Sequence, residues 1–395
     1  MQAAEAGRAA PPARVAGECD PAFRRVRDAF EANFAERGEI GGAVCAVVGG
    51  RTVVDLWGGF TDAGRTRAWQ RDTLVNVYSV GKGITSLLAL KLVEQGHLRL
   101  DEPAARRWPE LAAAGKGDLT LRMLLAHRAG LPAVREPLPE GAWADWGLMA
   151  GALAAQAPFW PPGTDHGYHT NTFGFLVGEL VRRETGLRFG AALREHLAGP
   201  VGADFHVGLP RAEHGRVATM CGHTTLAPTE AMIAVLVPAA TSPERAQMLR
   251  HCYFNPPGLS GGGVVNTEAW RLAEIPSTNG HATARAVAAV YAAALDGRAG
   301  VGAGLLAEAR SVQSQGMDRV IGRDSCFGLG FQLSTPGRVV GGPPPSFGHF
   351  GHGGSLGFAD PDAGVAFGCV TNLPGPRRWH HPRTDALVEA VYASL

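Results

Sequence analysis

The chain carries little that would tie it to a polymer, a membrane or an oxidising compartment. Its six cysteines (Cys19, Cys45, Cys221, Cys252, Cys326, Cys369) are scattered, with no Cys-x-x-Cys pair. Neither a zinc site nor a disulfide framework is indicated. Charge of one sign is in no excess, since 37 Lys and Arg stand against 36 Asp and Glu for a formal net charge of +1. That excludes the basic footprint of a nucleic-acid binder. No apolar run approaches the roughly 18 residues that cross a bilayer. Met1 to Ala16 is rich in Ala, Pro and Arg and has no apolar core of signal-peptide length. These absences set the expectation of a cytoplasmic protein without membrane or nucleic-acid partners. What remains is ordinary globular material: 45% hydrophobic residues in a chain of 395, long enough for one large domain or two smaller ones.

Residues 1–18 read as a flexible arm. Phe23, Val26, Phe30 and Phe34 then recur at helical spacing. Ala43 to Val48 and Thr52 to Trp57 read as two strands joined by the tight turn Gly49-Gly50-Arg51. From 96 to 280 the character shifts to helical pieces, among them Leu119 to Leu125 and Thr172 to Thr185, separated by loops rich in Pro and Gly. After another helix within Pro276 to Gly297, the chain returns to strands at Phe327 to Leu333, Gly354 to Ala359 and Val365 to Thr371. The expected architecture is α/β (α+β): an antiparallel sheet flanked by helices and formed by 19–95 and 281–395, with a mainly helical lobe at 96–280.

The stretch Tyr78-Ser79-Val80-Gly81-Lys82-Gly83-Ile84-Thr85 offers chemistry. If it opens a helix, Ser79 and Lys82 share one face. A serine hydroxyl becomes a useful nucleophile only when a base takes its proton. A lysine is such a base once burial lowers its pKa from about 10, and the apolar run Leu87-Leu88-Ala89-Leu90 supplies burial. Val75-Asn76-Val77 reads as a short strand leading in, with Ser79 at the helix N-cap or first turn. Two further stretches attract notice. Pro161 to His169 is a turn-rich loop that delivers Tyr168, either as a proton shuttle or as a packing residue. His349-Phe350-Gly351-His352-Gly353-Gly354-Ser355 is a glycine-rich approach to a strand whose N–H groups could stabilise an oxyanion, or else a plain bulge.

Ser79-Val80-Gly81-Lys82, Thr120 to Pro132, the loop to Tyr168 and His352-Gly353-Gly354 occur in an order that resembles the serine β-lactamase and penicillin-binding-protein superfamily, in its class C-like branch and with the flavour of family VIII carboxylesterases. The resemblance runs from about residue 20 to the end. It implies a β-lactamase-like fold, no cofactor and no metal, with Ser79 forming an acyl-enzyme, Lys82 activating it and Tyr168 relaying protons. It also implies a third motif at His352-Gly353-Gly354 and an oxyanion hole made by the N–H groups of Ser79 and Ser355. The implied partner is a small ester or other acyl donor, with an amine or alcohol acceptor if the enzyme is a transacylase instead of an esterase. A β-lactamase, a D,D-peptidase and a non-catalytic binding protein are the remaining readings. The chain departs from the family pattern at Tyr168-His169-Thr170, with Asn171 one place late, and at His352, where lactamases carry lysine. A histidine anchors a β-lactam carboxylate less well than lysine.

Several patterns compete. Gly258-x-Ser260-x-Gly262 and Gly353-x-Ser355-x-Gly357 match the nucleophile elbow of α/β-hydrolases, but neither sits between a strand and a helix. His166 with His169 and His349 with His352 invite a metal reading, yet no His-Glu-x-x-His accompanies them. Trp57, Trp143, Trp146 and Trp160 are candidates for an acyl pocket or for the core.

Overall fold

The computed structural model describes residues 13–222, 236–237, 241–337, 339–375 and 380–395. Twelve strands among these form two antiparallel sheets: β1 (Val15–Cys19), β2 (Gly41–Val48), β3 (Arg51–Gly59), β4 (Val75–Asn76), β5 (Phe205–His206), β6 (His281–Ala282), β7 (Ser314–Met317), β8 (Asp324–Phe327), β9 (Gln332–Leu333), β10 (Phe347–Phe350), β11 (Leu356–Asp360) and β12 (Val365–Thr371). The large sheet has nine strands in the order β1-β3-β2-β12-β11-β10-β9-β8-β7, and the small one has the order β4-β6-β5. Gly49 and Gly50, both at positive φ (56° and 77°), close the β2–β3 hairpin, the two-residue turn whose twist suits antiparallel strands.

Both faces of the large sheet are covered, which explains why its central strands read as continuous apolar runs. Along β2, Val44 and Ala46 enter one core while Cys45 and Val47 enter the other, and along β12 Phe367 and Cys369 alternate in the same way with Ala366 and Val370. The first face carries α1 (Arg24–Glu36) and the helix Pro382–Tyr392. The second carries the helix Ala284–Leu295 and α2 (Val80–Glu94). Beyond α2 lie α3 (Leu121–Leu125), α4 (Trp146–Ala155) and α5 (Thr172–Thr185) of the helical region. Helix α2 is buried all round, from Val80 through Leu90. Sandwiched between the sheet and α5, it is the element to which both halves of the molecule attach.

Three expectations are corrected. Residues 1–12 lie outside the described residues, but the end of the supposed arm at 1–18 is strand β1, paired with β3 from Val15 opposite Gly58 to Cys19 opposite Val54. Gly17, at φ +106°, lets that edge approach so closely that a Cβ would stand 2.1 Å from the Asp55 carbonyl oxygen. A strand held by backbone contacts leaves a weak mark in side-chain pattern. Phe327 to Leu333 is not one strand, since residues 328–331 interrupt it between β8 and β9, with Gly330 at φ +80° and pressed on Ser86 of α2. Finally, β5 from the helical region pairs with β6, which also pairs with β4, so the small sheet draws on both sides of the boundary expected at 280.

Candidate active site

Ser79 is the N-cap of α2, but its φ and ψ (−69°, −4°) are already helical and its side chain caps nothing. The hydroxyl is thereby left for other work. Tyr78 just before it is held at φ +49°, a left-handed conformation that costs a bulky residue about 1–2 kcal/mol. Each of the buried side chains Leu87, Leu88, Leu90 and Leu92 recovers about as much or more, so the fold sustains the bend. The turn is anchored from the small sheet: Val77 N–H donates to the Gly280 carbonyl (2.8 Å), and Asn76 both donates to Thr278 O (3.2 Å) and accepts from Trp270 Nε1 (3.0 Å).

One helical turn on, Lys82 is fully buried and its Nζ lies 3.0 Å from Ser79 Oγ. The same nitrogen donates to the backbone carbonyls of Thr170 (2.6 Å) and Ser277 (3.0 Å). Burial pushes its pKa well below the ordinary lysine value, because the charged form loses its hydration. A neutral amine has two N–H groups and one lone pair. With both N–H groups spent on carbonyls, the lone pair faces the serine hydroxyl.

Tyr168 comes from a loop, and its phenol oxygen lies 2.9 Å from Ser79 Oγ. Its ring is stacked on Phe327 (5.9 Å between centroids) and lies 4.9 Å from Lys82 Nζ. The buried phenol also meets His349 Nε2 at 3.5 Å. His349 Nδ1 is 2.7 Å from the Phe350 carbonyl, an oxygen that can only accept, so Nδ1 carries the proton and Nε2 is an acceptor. Burial and the nearby Lys82 push the His349 pKa down to about 3, keeping the ring neutral.

The structure thus brings Ser79, Lys82 and Tyr168 together and adds His349, a residue the sequence reading left without a role. The third-motif candidates sit differently. His352 is exposed, with its ring edge-on to Tyr78 (5.4 Å). Gly353 and Gly354 are buried against the Pro374 backbone and the Thr371, His381 and Thr384 side chains respectively. It is Gly351 that passes the turn leading into Ser79, since a Cβ there would stand 2.4 Å from the Val77 carbonyl oxygen. Ser355 is buried at the foot of β11, and its carbonyl accepts from Gly351 N–H (2.7 Å).

The competing patterns resolve into structure. Ser260 accepts from Asn171 Nδ2 (2.9 Å) and donates to Tyr253 O (3.1 Å). Asn171 spends its other amide proton on Cys252 O and its oxygen on Thr278 Oγ1, so its side chain is committed to the fold. His166 contacts Ser325 Oγ (2.9 Å), and His169 Nε2 accepts from Leu131 N–H (3.0 Å). No cluster of three or more His, Cys, Asp or Glu able to hold a metal occurs among the described residues. Trp143 donates to Pro257 O, Trp146 to Glu179 and Trp160 to Asp165 O, each as a packing residue, while Trp57 lies on β3 opposite Ala16.

Comparison with known proteins decides the family. The β-lactamase family model matches residues 26–391. The chain belongs to the β-lactamase family. Within it, the chain is 35% identical over 364 residues to the esterase/β-lactamase LipL of Mycobacterium tuberculosis, covering 91% of this chain and 83% of LipL. A solved family VIII carboxylesterase superposes with a TM-score of 0.86 at 37% identity, over 97% of this chain and 100% of that one. A penicillin-binding-protein homologue from Caulobacter crescentus gives 0.84 at 36%, over 97% and 100%. This β-lactamase-family member has the fold that its sequence motifs imply and is a serine hydrolase by membership.

Proposed function

We propose that the protein is a serine esterase that works through an acyl-enzyme on Ser79, hydrolysing a small carboxylic ester. The observation that carries this reading is the saturation of Lys82: two carbonyls take its N–H groups, and its third direction meets Ser79 Oγ at 3.0 Å. Lys82 takes the hydroxyl proton as Oγ forms its bond to the ester carbonyl carbon. The oxyanion is received by the Ser79 N–H at the positive end of α2 and by an N–H of the 351–355 segment, our candidate being Ser355. A donor of this kind is worth about 3 kcal/mol of barrier. As the C–O bond breaks, the Tyr168 phenol protonates the departing alkoxide, and the phenolate is stabilised by the Lys82 ammonium beside its ring. Water then gives a proton to the phenolate while its oxygen attacks the acyl carbon. The Ser79 oxygen departs with the proton held on Lys82, which restores every group. His349 Nε2 offers the phenol a second acceptor and so fixes where it points.

The likeness to a family VIII carboxylesterase supports ester hydrolysis; LipL is named for both esterase and β-lactamase activity, and here the commitment of Asn171 to the fold and the exposure of His352 speak against a β-lactam as substrate. A transacylase would share the first half-reaction and use an amine or alcohol in place of water. The test is incubation with p-nitrophenyl esters of increasing chain length, with and without an added amine, followed by intact-mass analysis. The expected result is turnover without amine and an acyl adduct that is absent in Ser79→Ala. Full turnover by Ser79→Ala would end the proposal, and product release that occurs only when amine is present would replace hydrolysis by transacylation.

A further inference from the structure

The phenol of Tyr168 must sit within hydrogen-bond reach of Ser79, yet its backbone belongs to neither a helix nor a strand. Something outside the loop must hold it. The backbone N–H of Tyr168 falls between both carboxylate oxygens of Asp318, at 3.0 and 3.1 Å. Asp318 is fully buried and stands at the start of the turn between β7 and β8, 150 residues away in sequence. Its carboxylate accepts three more hydrogen bonds, from Val320 N–H (2.8 Å), Ile321 N–H (2.8 Å) and Ser325 Oγ (3.0 Å). Its own backbone closes the turn, with Asp318 N–H on Arg323 O and Gly322 N–H on Asp318 O.

The chain of bonds extends one step further. Ser325 spends its proton on Asp318, so its oxygen accepts from His166 Nε2 at 2.9 Å. His166 lies two residues before Tyr168, and its carbonyl accepts from Arg319 N–H (3.2 Å). Both ends of the short segment 166–168 are therefore tied to the same turn. Although an Asp, a Ser and a His meet here, the serine lies between the other two and gives its proton to the carboxylate. No base faces it, so this is no second nucleophilic triad.

We propose that Asp318 is a positioning residue for the Tyr168 phenol, and that the β7–β8 turn, through Asp318 and Ser325, sets the distance from that phenol to Ser79. The inference rests on the role given to Tyr168 above. Asp318→Asn keeps the shape but turns an N–H₂ group toward donors that need an acceptor, so the Tyr168 backbone shifts. A shift of about 1 Å at a catalytic group costs on the order of a hundredfold in rate.

The experiment is a double-mutant cycle on p-nitrophenyl acetate hydrolysis, with kcat and KM measured for the wild type, Asp318→Asn, Tyr168→Phe and the pair. Asp318→Asn is expected to lower kcat about 10- to 100-fold and leave KM within about threefold. In the Tyr168→Phe background the same change is expected to cost nothing further, because the group it positions is gone. A purely structural defect would multiply through both backgrounds, and that result overturns the proposal. So does full turnover by Asp318→Asn while Tyr168→Phe is impaired. Full turnover by Tyr168→Phe itself would remove the role of Tyr168 and this inference with it. Should Asp318→Asn fail to fold, Ser325→Ala takes its place in the cycle. It deletes one of the four donors to the carboxylate, and an about threefold loss of kcat confined to the Tyr168 background is expected. No loss, or a loss that persists with Tyr168→Phe, overturns the proposal equally.

Discussion

At the scale of single residues, the decisive fact is a lysine buried with no carboxylate among its hydrogen-bond partners. Lys82 meets two carbonyls and a hydroxyl, so nothing offsets the loss of hydration that drives its pKa down. In the proposed mechanism activity requires the neutral amine. The rate must therefore rise with pH as Lys82 loses its proton, with its half-point well below the ordinary lysine value of about 10.4. A profile of kcat/KM against pH that only begins to rise near 10 would refute this. Lys82→Arg keeps the positive charge but cannot give it up. It is expected to lose about 10²- to 10⁴-fold in kcat, as loss of a general base does, whereas a lysine acting only as a charge would tolerate the change. His349 is held neutral by burial with a pKa near 3, so it should contribute no limb to the profile between about pH 4.5 and 8. Replacing it with Phe, which removes the acceptor facing Tyr168, should lower kcat by about tenfold and leave the shape of the profile intact.

At the scale of elements, much of the molecule was legible in the sequence, and the exceptions have physical causes. Helix α5 and strand β12 match their expected spans, Thr172–Thr185 and Val365–Thr371, residue for residue. Each is an unbroken pattern with a clear stop, Gly186 at φ +70° ending the helix. Ser79, Lys82 and Tyr168 were legible because helical spacing and motif order carry them. His349 was not, because the glycine pair at Gly353 and Gly354 drew attention four and five residues downstream. The available signal was strand alternation. Phe347 packs on Tyr291, and His349, two residues on, faces the same side. A buried histidine in line with the buried Phe347 needs a polar partner, and Tyr168 is that partner. Asp318 left no signal at all, since its carboxylate works through a backbone N–H that any residue could supply. The passage of β10 beyond the turn leading into Ser79 gives a test of register. Gly351→Ala would drive a Cβ to 2.4 Å from Val77 O, displacing backbone beside Ser79. It is expected to cost about 1–3 kcal/mol of stability and at least about tenfold in kcat, measured by urea unfolding and by ester turnover. Gly353→Ala meets Pro374 instead and is expected to cost stability with a much smaller loss of kcat. Equal losses of kcat at equal stability would return the third motif to His352-Gly353-Gly354.

At the scale of the whole molecule, burial of basic groups couples folding to pH. Burial pushes the histidines at 169, 281 and 349 down to about 3, and His127 well below its usual value. In the unfolded chain each titrates near 6.5. Between these values the unfolded state binds protons that the folded state refuses, so stability rises with pH across the window and falls as pH drops from about 6.5 toward 3. One buried group opposes this. Glu39, paired with Arg383 at 2.7 Å, is pushed up to about 7 by burial against the pull of that guanidinium. Between about 4.5 and 7 it holds a proton that the unfolded chain releases, which favours the folded state as pH falls. Four histidines outweigh one carboxyl, so the net slope on acidification is destabilising, by a few kcal/mol per pH unit between about 6 and 5. That is earlier than carboxylates alone would act. Urea midpoints followed by tryptophan fluorescence at pH 7.5, 6.5, 5.5 and 4.5 should fall steeply below 6.5. His281→Gln should flatten the curve, because His281 is fully buried on β6 and burial is the chief cause that pushes its pKa down. A midpoint that stays constant down to pH 4.5 would mean that these rings find proton acceptors on folding, and the account of the core as a place that keeps its bases neutral, Lys82 included, would fail with it.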